Sequence, residues 1–304
     1  MSDEIYDVII IGGSYAGLSS AMQLGRARRK VLVIDEGLRR NRFASRSHGF
    51  LTQDGVDPAV IAADARAQVM KYPTVEWLSA QACAGRRIEN SEPGGASFGV
   101  LAGGQRYWSR RLVLATGVRD MLPTIEGLEE RWGKSVFHCP YCHGYELNQG
   151  DIGVIATSAL SMHHALMLPD WGPTTFLLNG AFEPDGEQLS TLEARGVKVE
   201  RTLIKAIVAD ADVDLEDGRR LSFSGLFIMA PFELASPIAE QLGLEMEPGP
   251  IGSVIKTDPM KEASIRGVFA CGDAARLMAS VALAVGDGNL AGAAAHRSLM
   301  FDTI

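Results

Sequence analysis

Two cysteines separated by two residues, in His138-Cys139-Pro140-Tyr141-Cys142-His143-Gly144, form the most reactive constellation in the chain. At this spacing the thiols can close a small ring, and neighbouring donors and ring strain make such a disulfide readily reducible. The pair can therefore carry two electrons, as dithiol or as disulfide. His143 follows directly, and an imidazole there is a candidate base able to hold or shuttle a proton near neutral pH. Three plainer readings stand beside this one. The stretch could be half of a zinc site, with His138 and His143 as the further ligands. The disulfide could be structural, although such bonds are rare in the cytosol. His143 could be a helix-start residue satisfied by backbone. Cys83 and Cys271 are isolated and read as small buried apolar side chains.

A second constellation lies at the start. Gly12-Gly13-Ser14-Tyr15-Ala16-Gly17 follows the β-branched run Asp7-Val8-Ile9-Ile10-Ile11. Gly12, Ser14 and Gly17 occupy the three positions of G-x-G-x-x-G, whose residues make a tight turn, admit a pyrophosphate and let helix pack on strand. Ser14 is a small substitute at the second position, and a helix starting here would offer its free N–H groups to phosphate. Asp35 ends the next apolar run, Val31-Leu32-Val33-Ile34, where a carboxylate should bond a ribose hydroxyl. The register of strand, glycine turn, helix, strand and acid predicts a dinucleotide site.

The elements that must position these groups are legible as alternating strands and helices. Arg111–Ala115 reads as a strand into a turn at Thr116-Gly117, and Ile152–Ile155 opens a second βαβ unit. That unit continues with a helix over Met162–Leu168 and a strand at Thr175–Leu178. Leu226–Met229 and Gly267–Ala270 are further strands, the latter running into Cys271-Gly272-Asp273. A small-residue helix over Gly288–His296 closes the chain, and Glu76–Trp108 reads as a small antiparallel element. The fold class is α/β with two Rossmann-like units. The 304 residues suffice for two domains with sizeable cores. A net charge of −8 argues against nucleic acid or an anionic membrane as partner. No apolar run reaches the ~18 residues of a membrane span, and the acidic start Met1-Ser2-Asp3-Glu4 is unlike a signal peptide, so a cytoplasmic protein is expected.

Taken in order, these motifs resemble the low-molecular-weight thioredoxin reductases and their two-dinucleotide-domain flavoprotein relatives, over almost the whole chain. Gly12–Gly17 and Asp35 match the FAD phosphate and ribose motif. Ala115-Thr116-Gly117 matches the return to the FAD domain, and Gly267–Asp273 matches a motif whose acid, here Asp273 after Gly272, contacts the ribityl-phosphate region. The resemblance implies an FAD domain over 1–117 and 241–304, interrupted by a central NAD(P)-binding-like domain over 118–240 that carries the cysteines. It implies a homodimer. It assigns Cys142 to the flavin, as the adduct-forming sulfur, and Cys139 to exchange with substrate.

The departures from that family shape the functional expectation. After Ile152–Ile155 the three glycine positions of the second motif hold Ala156, Ser158 and Ser161. Leu178 is followed by Asn179-Gly180-Ala181-Phe182-Glu183, with no arginine for a 2′-phosphate. NADPH is therefore not expected to bind well. The Cys139–Gly144 and Gly12–Gly17 sequences look more like the dithiol oxidases that close disulfides in natural products such as gliotoxin and holomycin. That subgroup passes electrons from a substrate dithiol through the cysteine pair and FAD to dioxygen. The alternatives are a thioredoxin reductase-like enzyme acting on a thioredoxin-like protein, and a flavoprotein redox sensor without turnover. His143 is the candidate base for the substrate thiol. Asp287, in Gly286-Asp287-Gly288, either orients that histidine or is an exposed acid capping the last helix.

Overall fold

The computed structural model describes residues 4–88 and 94–301. The start Met1-Ser2-Asp3 and part of the expected antiparallel element, 89–93, lie outside the described residues. The chain divides into two compact units. The first comprises Met1–Arg40, Ala59–Arg119 and Phe232–Ile304, and the second Asn41–Pro58 and Asp120–Pro231. The divisions fall at 119/120 and 231/232, against the expected 117/118 and 240/241. No motif in the sequence signals the excursion 41–58.

The first unit is built on β1 (Ile5–Ile11), α1 (Tyr15–Arg26), β2 (Val31–Asp35), α2 (Pro58–Val69), β3 (Val75–Ser79), β4 (Ala82–Arg87), β5 (Phe98–Ala102) and β6 (Gln105–Leu114). Its sheet runs β3-β2-β1-β6-β5-β4, with the strand Val268–Ala270 also paired to β6. β3, β2, β1 and β6 pair in parallel, whereas β4, β5 and β6 form antiparallel hairpins. Parallel strands covered on both faces need unbroken apolar runs. Val8–Ile11 and Val31–Ile34 supply them and are buried throughout. β3 is thus an edge of the main sheet, and the antiparallel element is confined to β4, β5 and β6. Cys83 corrects an expectation: on β4 the neighbouring Ala82 points inward and Cys83 is exposed.

The C-terminal helix spans Val281–Phe301, a longer element than the expected 288–296. It crosses α1 at Gly288, where a Cβ would stand 2.0 Å from the Ala16 carbonyl oxygen. Glycine is thus needed for the close approach of two helix backbones, which outweighs its low helix propensity. No helix among the described residues is long and apolar enough to cross a membrane.

The second unit holds a five-stranded parallel sheet in the order Lys198–Glu200, Thr174–Leu177, Ile152–Ile155, Gly225–Ile228 and Val136–Phe137. An antiparallel ribbon over Ile204–Val208, Asp212–Leu215 and Arg220–Leu221 accompanies it. The excursion 41–58 is closed by an antiparallel bridge between Ser47 and Val56. A Cβ at Gly133, whose φ is +74°, would stand 2.8 Å from Phe43 Cβ, so the excursion packs directly on the second unit's own backbone.

Candidate active site

In the first unit the glycine turn is fixed by steric necessity. Gly12 has φ +99°, and a Cβ there would lie 2.2 Å from the Ala115 carbonyl oxygen. A Cβ on Gly17 would lie 1.8 Å from the Gly12 carbonyl oxygen. The loop and the Ala115-Thr116-Gly117 turn therefore nest without side chains between them. The Gly13 N–H donates to Asp35 Oδ1 at 2.9 Å, leaving the second carboxylate oxygen to the cleft. Ser14 begins α1 in extended conformation, and no side chain caps the helix. Gly12, Ser14, Asp35, Glu36, Ala115 and Thr116 line an open cleft of about 550 Å³.

Those features fit a dinucleotide. Backbone approaches without Cβ atoms admit a pyrophosphate, uncapped N–H groups face it, and a carboxylate stands where a ribose would lie. Gly272, at φ +68°, packs against Ala16, with a Cβ there 2.9 Å from the Ala16 Cβ. Asp273 accepts a hydrogen bond from Arg40 Nη1 at 2.9 Å. Sequence reasoning misses Arg39, which also lines the cleft, and Arg40. Two arginines soon after the ribose-site acid were a usable signal. Gly17→Ala tests the cradle. Overpacking of this kind costs about 1–3 kcal/mol, and each 1.4 kcal/mol weakens binding roughly tenfold. The variant is expected to lose most of its flavin on gel filtration, and full flavin absorbance per chain would contradict the placement.

In the second unit, Val136–Phe137 delivers the chain to the cysteines. Cys139 is extended and stands at the head of a one-turn helix, Pro140–His143, with Pro140 in its first turn. Proline suits that position because its missing N–H would be unpaired there anyway. The turn brings Cys142 Sγ to 2.8 Å from Cys139 Sγ, so the pair can interconvert between dithiol and disulfide. Among the described residues no group of three or more His, Cys, Asp and Glu side chains is placed to hold a metal.

His143 ends this turn and does not begin it. Its ring stacks on Phe137, with centroids 4.3 Å apart and planes at 15°. Burial, aided by the charge of His48, pushes it down to about 4. It is thus neutral at physiological pH. Burial also pushes His164 down to about 3, with His138 and His163 beside it.

Asp287 is neither exposed nor a cap. It lies within the C-terminal helix, and its side chain is 5% exposed. Oδ2 accepts from Lys261 Nζ and Arg276 Nε, each at 3.0 Å, and Oδ1 from Arg276 Nη2 at 2.7 Å. Both oxygens are thus engaged by cations within the first unit. Cys271 is buried, and burial with the nearby Asp287 charge pushes its thiol up to about 12, an inert group as expected.

Comparison with known proteins agrees with this arrangement. Residues 6–288 match the family model described as pyridine nucleotide-disulphide oxidoreductase. The chain is 34% identical to a thioredoxin reductase, tcpT, of Claviceps purpurea, over 99% of this chain and 96% of that one. Among solved structures, an oxidoreductase from Agrobacterium tumefaciens is 56% identical with a TM-score of 0.93, covering 98% of this chain and all of that one. HlmI is 34% identical with a TM-score of 0.88, over 97% and 93% of the two chains. With a glycine cradle on one Rossmann-like unit and a Cys-x-x-Cys turn on the other, the chain belongs to the pyridine nucleotide-disulphide oxidoreductase family and is a thioredoxin reductase-like enzyme of it.

Proposed function

We propose that the protein is an FAD-dependent dithiol oxidase, with Cys139 and Cys142 as its redox pair and dioxygen as the electron acceptor. The observation that carries this reading is the state of the second nucleotide loop. Ser161 Oγ accepts the Thr157 N–H at 3.0 Å, and Ser158 Oγ accepts the Leu160 N–H at 3.3 Å. Thr157 Oγ1 donates to the Met229 carbonyl at 2.8 Å. Backbone donors that would face a pyrophosphate are already bonded to the loop's own side chains. A ligand would have to break those bonds as well as displace Cβ atoms. At the far end, Asn179 Oδ1 accepts the Ile204 N–H, and Glu183 pairs with Arg201. That arginine is thus already engaged by an acid. The first unit's loop differs in both respects, having glycines and an uncapped helix.

The chemistry of the chain's own groups follows from thiol–disulfide exchange. A substrate thiolate attacks Cys139 Sγ, the Cys139–Cys142 bond breaks, and Cys142 leaves as thiolate. The second substrate thiolate attacks the mixed disulfide, forming the substrate disulfide and releasing Cys139. Two electrons then rest on the pair. FAD, when bound, supplies the sink that takes them and passes them to dioxygen. The extended Cys139 at the head of its turn suits it to be the attacked sulfur.

Two measurements test the reading. NADPH binding is expected in the ~millimolar range, about −4 kcal/mol, and micromolar affinity by calorimetry would show a working second site. Steady oxygen uptake with a small dithiol, one dioxygen per disulfide formed, is the expected activity. The relatives' description as thioredoxin reductases favours a second reading, reduction of a protein disulfide. Rapid anaerobic bleaching of the flavin by NADPH would establish that one in place of the oxidase.

A further inference from the structure

Tyr141 lies between the two cysteines and is 73% exposed, and Tyr145, three residues beyond Cys142, is 84% exposed. They are the most exposed aromatic side chains among the described residues of the second unit. Gly144 keeps a helical φ of −66° and ψ of −36°, so the chain runs on from the Pro140–His143 turn into Tyr145–Leu147 with the same sense. Tyr141 and Tyr145, four residues apart, therefore share a face. Trp171 props that face. Its ring meets Tyr141 with centroids 5.5 Å apart and planes at 88°, an edge-to-face contact. It also covers the backbone of the redox turn at Gly144, where a Cβ would stand 2.7 Å from Trp171 Cδ1. Trp171 itself packs on the core that contains Phe137, Leu168 and Phe176.

The faces of the turn differ in what they leave open. A helix advances about 100° per residue, so Tyr141, Cys142 and His143 stand on successive faces, with the cysteine between the two rings. The His143 face is closed. Its ring stacks on Phe137 at 4.3 Å, and Phe137 leans on Phe227 at 5.7 Å, both phenylalanines being buried. The Tyr141 face is open. Within the second unit, a molecule bonded through sulfur to the pair therefore finds room for its body on the Tyr141 side and a wall on the other. A tyrosine ring is a rigid platform for such a body, because little side-chain freedom is lost when something stacks on it.

We infer that Tyr141, propped by Trp171, is a specificity-determining residue that stacks on the body of the substrate, and that the preferred substrate is a dithiol carried on a flat, apolar ring. Tyr145 extends the same surface. An open-chain polar dithiol leaves both tyrosines in water and gains nothing from them, whereas a ring gains a contact that lasts through the mixed disulfide. Two tyrosines and one tryptophan match a small molecule in size. A stable protein–protein interface takes roughly 20–30 residues a side. The inference deepens the dithiol reading and rests on Cys139 and Cys142 as the exchanging pair, but not on the identity of the final electron acceptor.

The test is reduction of the oxidised pair in the FAD-loaded protein without oxygen, quenched and read as thiols alkylated at Cys139 and Cys142. Two dithiols are compared, ortho-benzenedimethanethiol and dithiothreitol, and the readout is the ratio of their rate constants, from which any general damage to the turn cancels. Tyr141→Ala is expected to lower that ratio roughly three- to tenfold, the scale of one aromatic contact. Tyr141→Phe should keep it within about twofold of wild type, since the ring stacks and not the hydroxyl. Tyr145→Ala should lower it by a smaller factor. An unchanged or raised ratio in Tyr141→Ala would give the residue a structural role only and overturn the inference. A ratio that falls as far in Tyr141→Phe would assign recognition to the hydroxyl and overturn the stacking. With reduced thioredoxin as a third reductant, a loss in Tyr141→Ala larger than that for the aromatic dithiol would make the surface a protein-docking face and overturn the small-ring substrate. A wild-type pair that neither dithiol reduces would overturn the assignment of the cysteines, the reading on which this one rests.

Discussion

Cys139→Ser and Cys142→Ser are each expected to abolish dithiol oxidation, by three orders of magnitude or more, the scale on which removing a covalent nucleophile acts. Neither half-pair can form the internal disulfide that the 2.8 Å separation of the sulfurs allows. Activity alone does not distinguish the two variants, but flavin absorbance does under the proposed division of labour. In Cys139→Ser the remaining thiolate belongs to Cys142, the sulfur assigned to the flavin, and a long-wavelength charge-transfer band should appear. It should fade as acid protonates the thiolate. In Cys142→Ser the remaining sulfur faces substrate, and the band should be absent. A band found only in Cys142→Ser would exchange the two roles. His143 enters this experiment differently than its position in the sequence suggests. Because burial holds it neutral above about pH 4, it contributes no positive charge to the thiolate near neutrality. His143→Ala should therefore leave the pH at which the band fades within roughly half a unit of its starting value. A displacement of a full unit or more would mean that the imidazole is charged beside the sulfur.

The parts of the site that are legible in sequence are those where a single residue type answers a local constraint. Gly12 and Gly17 could be read because nothing else fits a backbone oxygen at 2.2 and 1.8 Å from the Cβ position. Asp35 could be read from its distance along a βαβ unit, and the buried parallel strands from unbroken apolar runs. The parts that were not legible depend on contacts between distant segments. Gly286 and Gly288 look like a break before a helix, which made Asp287 an exposed cap. In the fold Gly288 is glycine because Ala16 of α1 crosses there, so the helix continues through it and Asp287 is buried. Local propensity lost to tertiary packing. The exposure of Cys83 follows from the register of β4, which no composition reveals. The excursion 41–58 carries no glycine motif and no periodicity. What marks it is the meeting of His48 with Glu146, 98 positions away in the sequence.

Asp287→Asn is expected to cost about 3 kcal/mol of stability. The carboxylate is buried and is shared by two cations, Lys261 at 3.0 Å and Arg276 at 2.7 Å. Removing one member of a buried ionic cluster costs about 3–5 kcal/mol, because the charges left behind remain out of water. Here the lower figure applies. The Lys261 side chain is 12% exposed and strands its charge, but Arg276 is 33% exposed and can recover water. Asparagine keeps the shape and one acceptor, yet it turns an NH₂ group towards donors. At about 2–4 °C per kcal/mol for a domain of this size, the melting temperature of the holoprotein should fall by roughly 6–12 °C. The pH dependence has a definite sign. Burial alone would raise the Asp287 carboxyl, but Arg276 and Lys261 outweigh it and hold it below its ordinary value. A group depressed in the folded state contributes its full stability above its unfolded value, near 3.9, and loses it as pH falls through the folded one. The gap between wild type and Asp287→Asn should therefore be constant from pH 6 to 8 and should narrow below about pH 4. Adding Lys261→Met to Asp287→Asn removes a stranded cation and should restore part of the loss. A melting temperature for Asp287→Asn within about one degree of wild type would place the carboxylate among surface charges, whose removal shifts stability by less than about 0.5 kcal/mol.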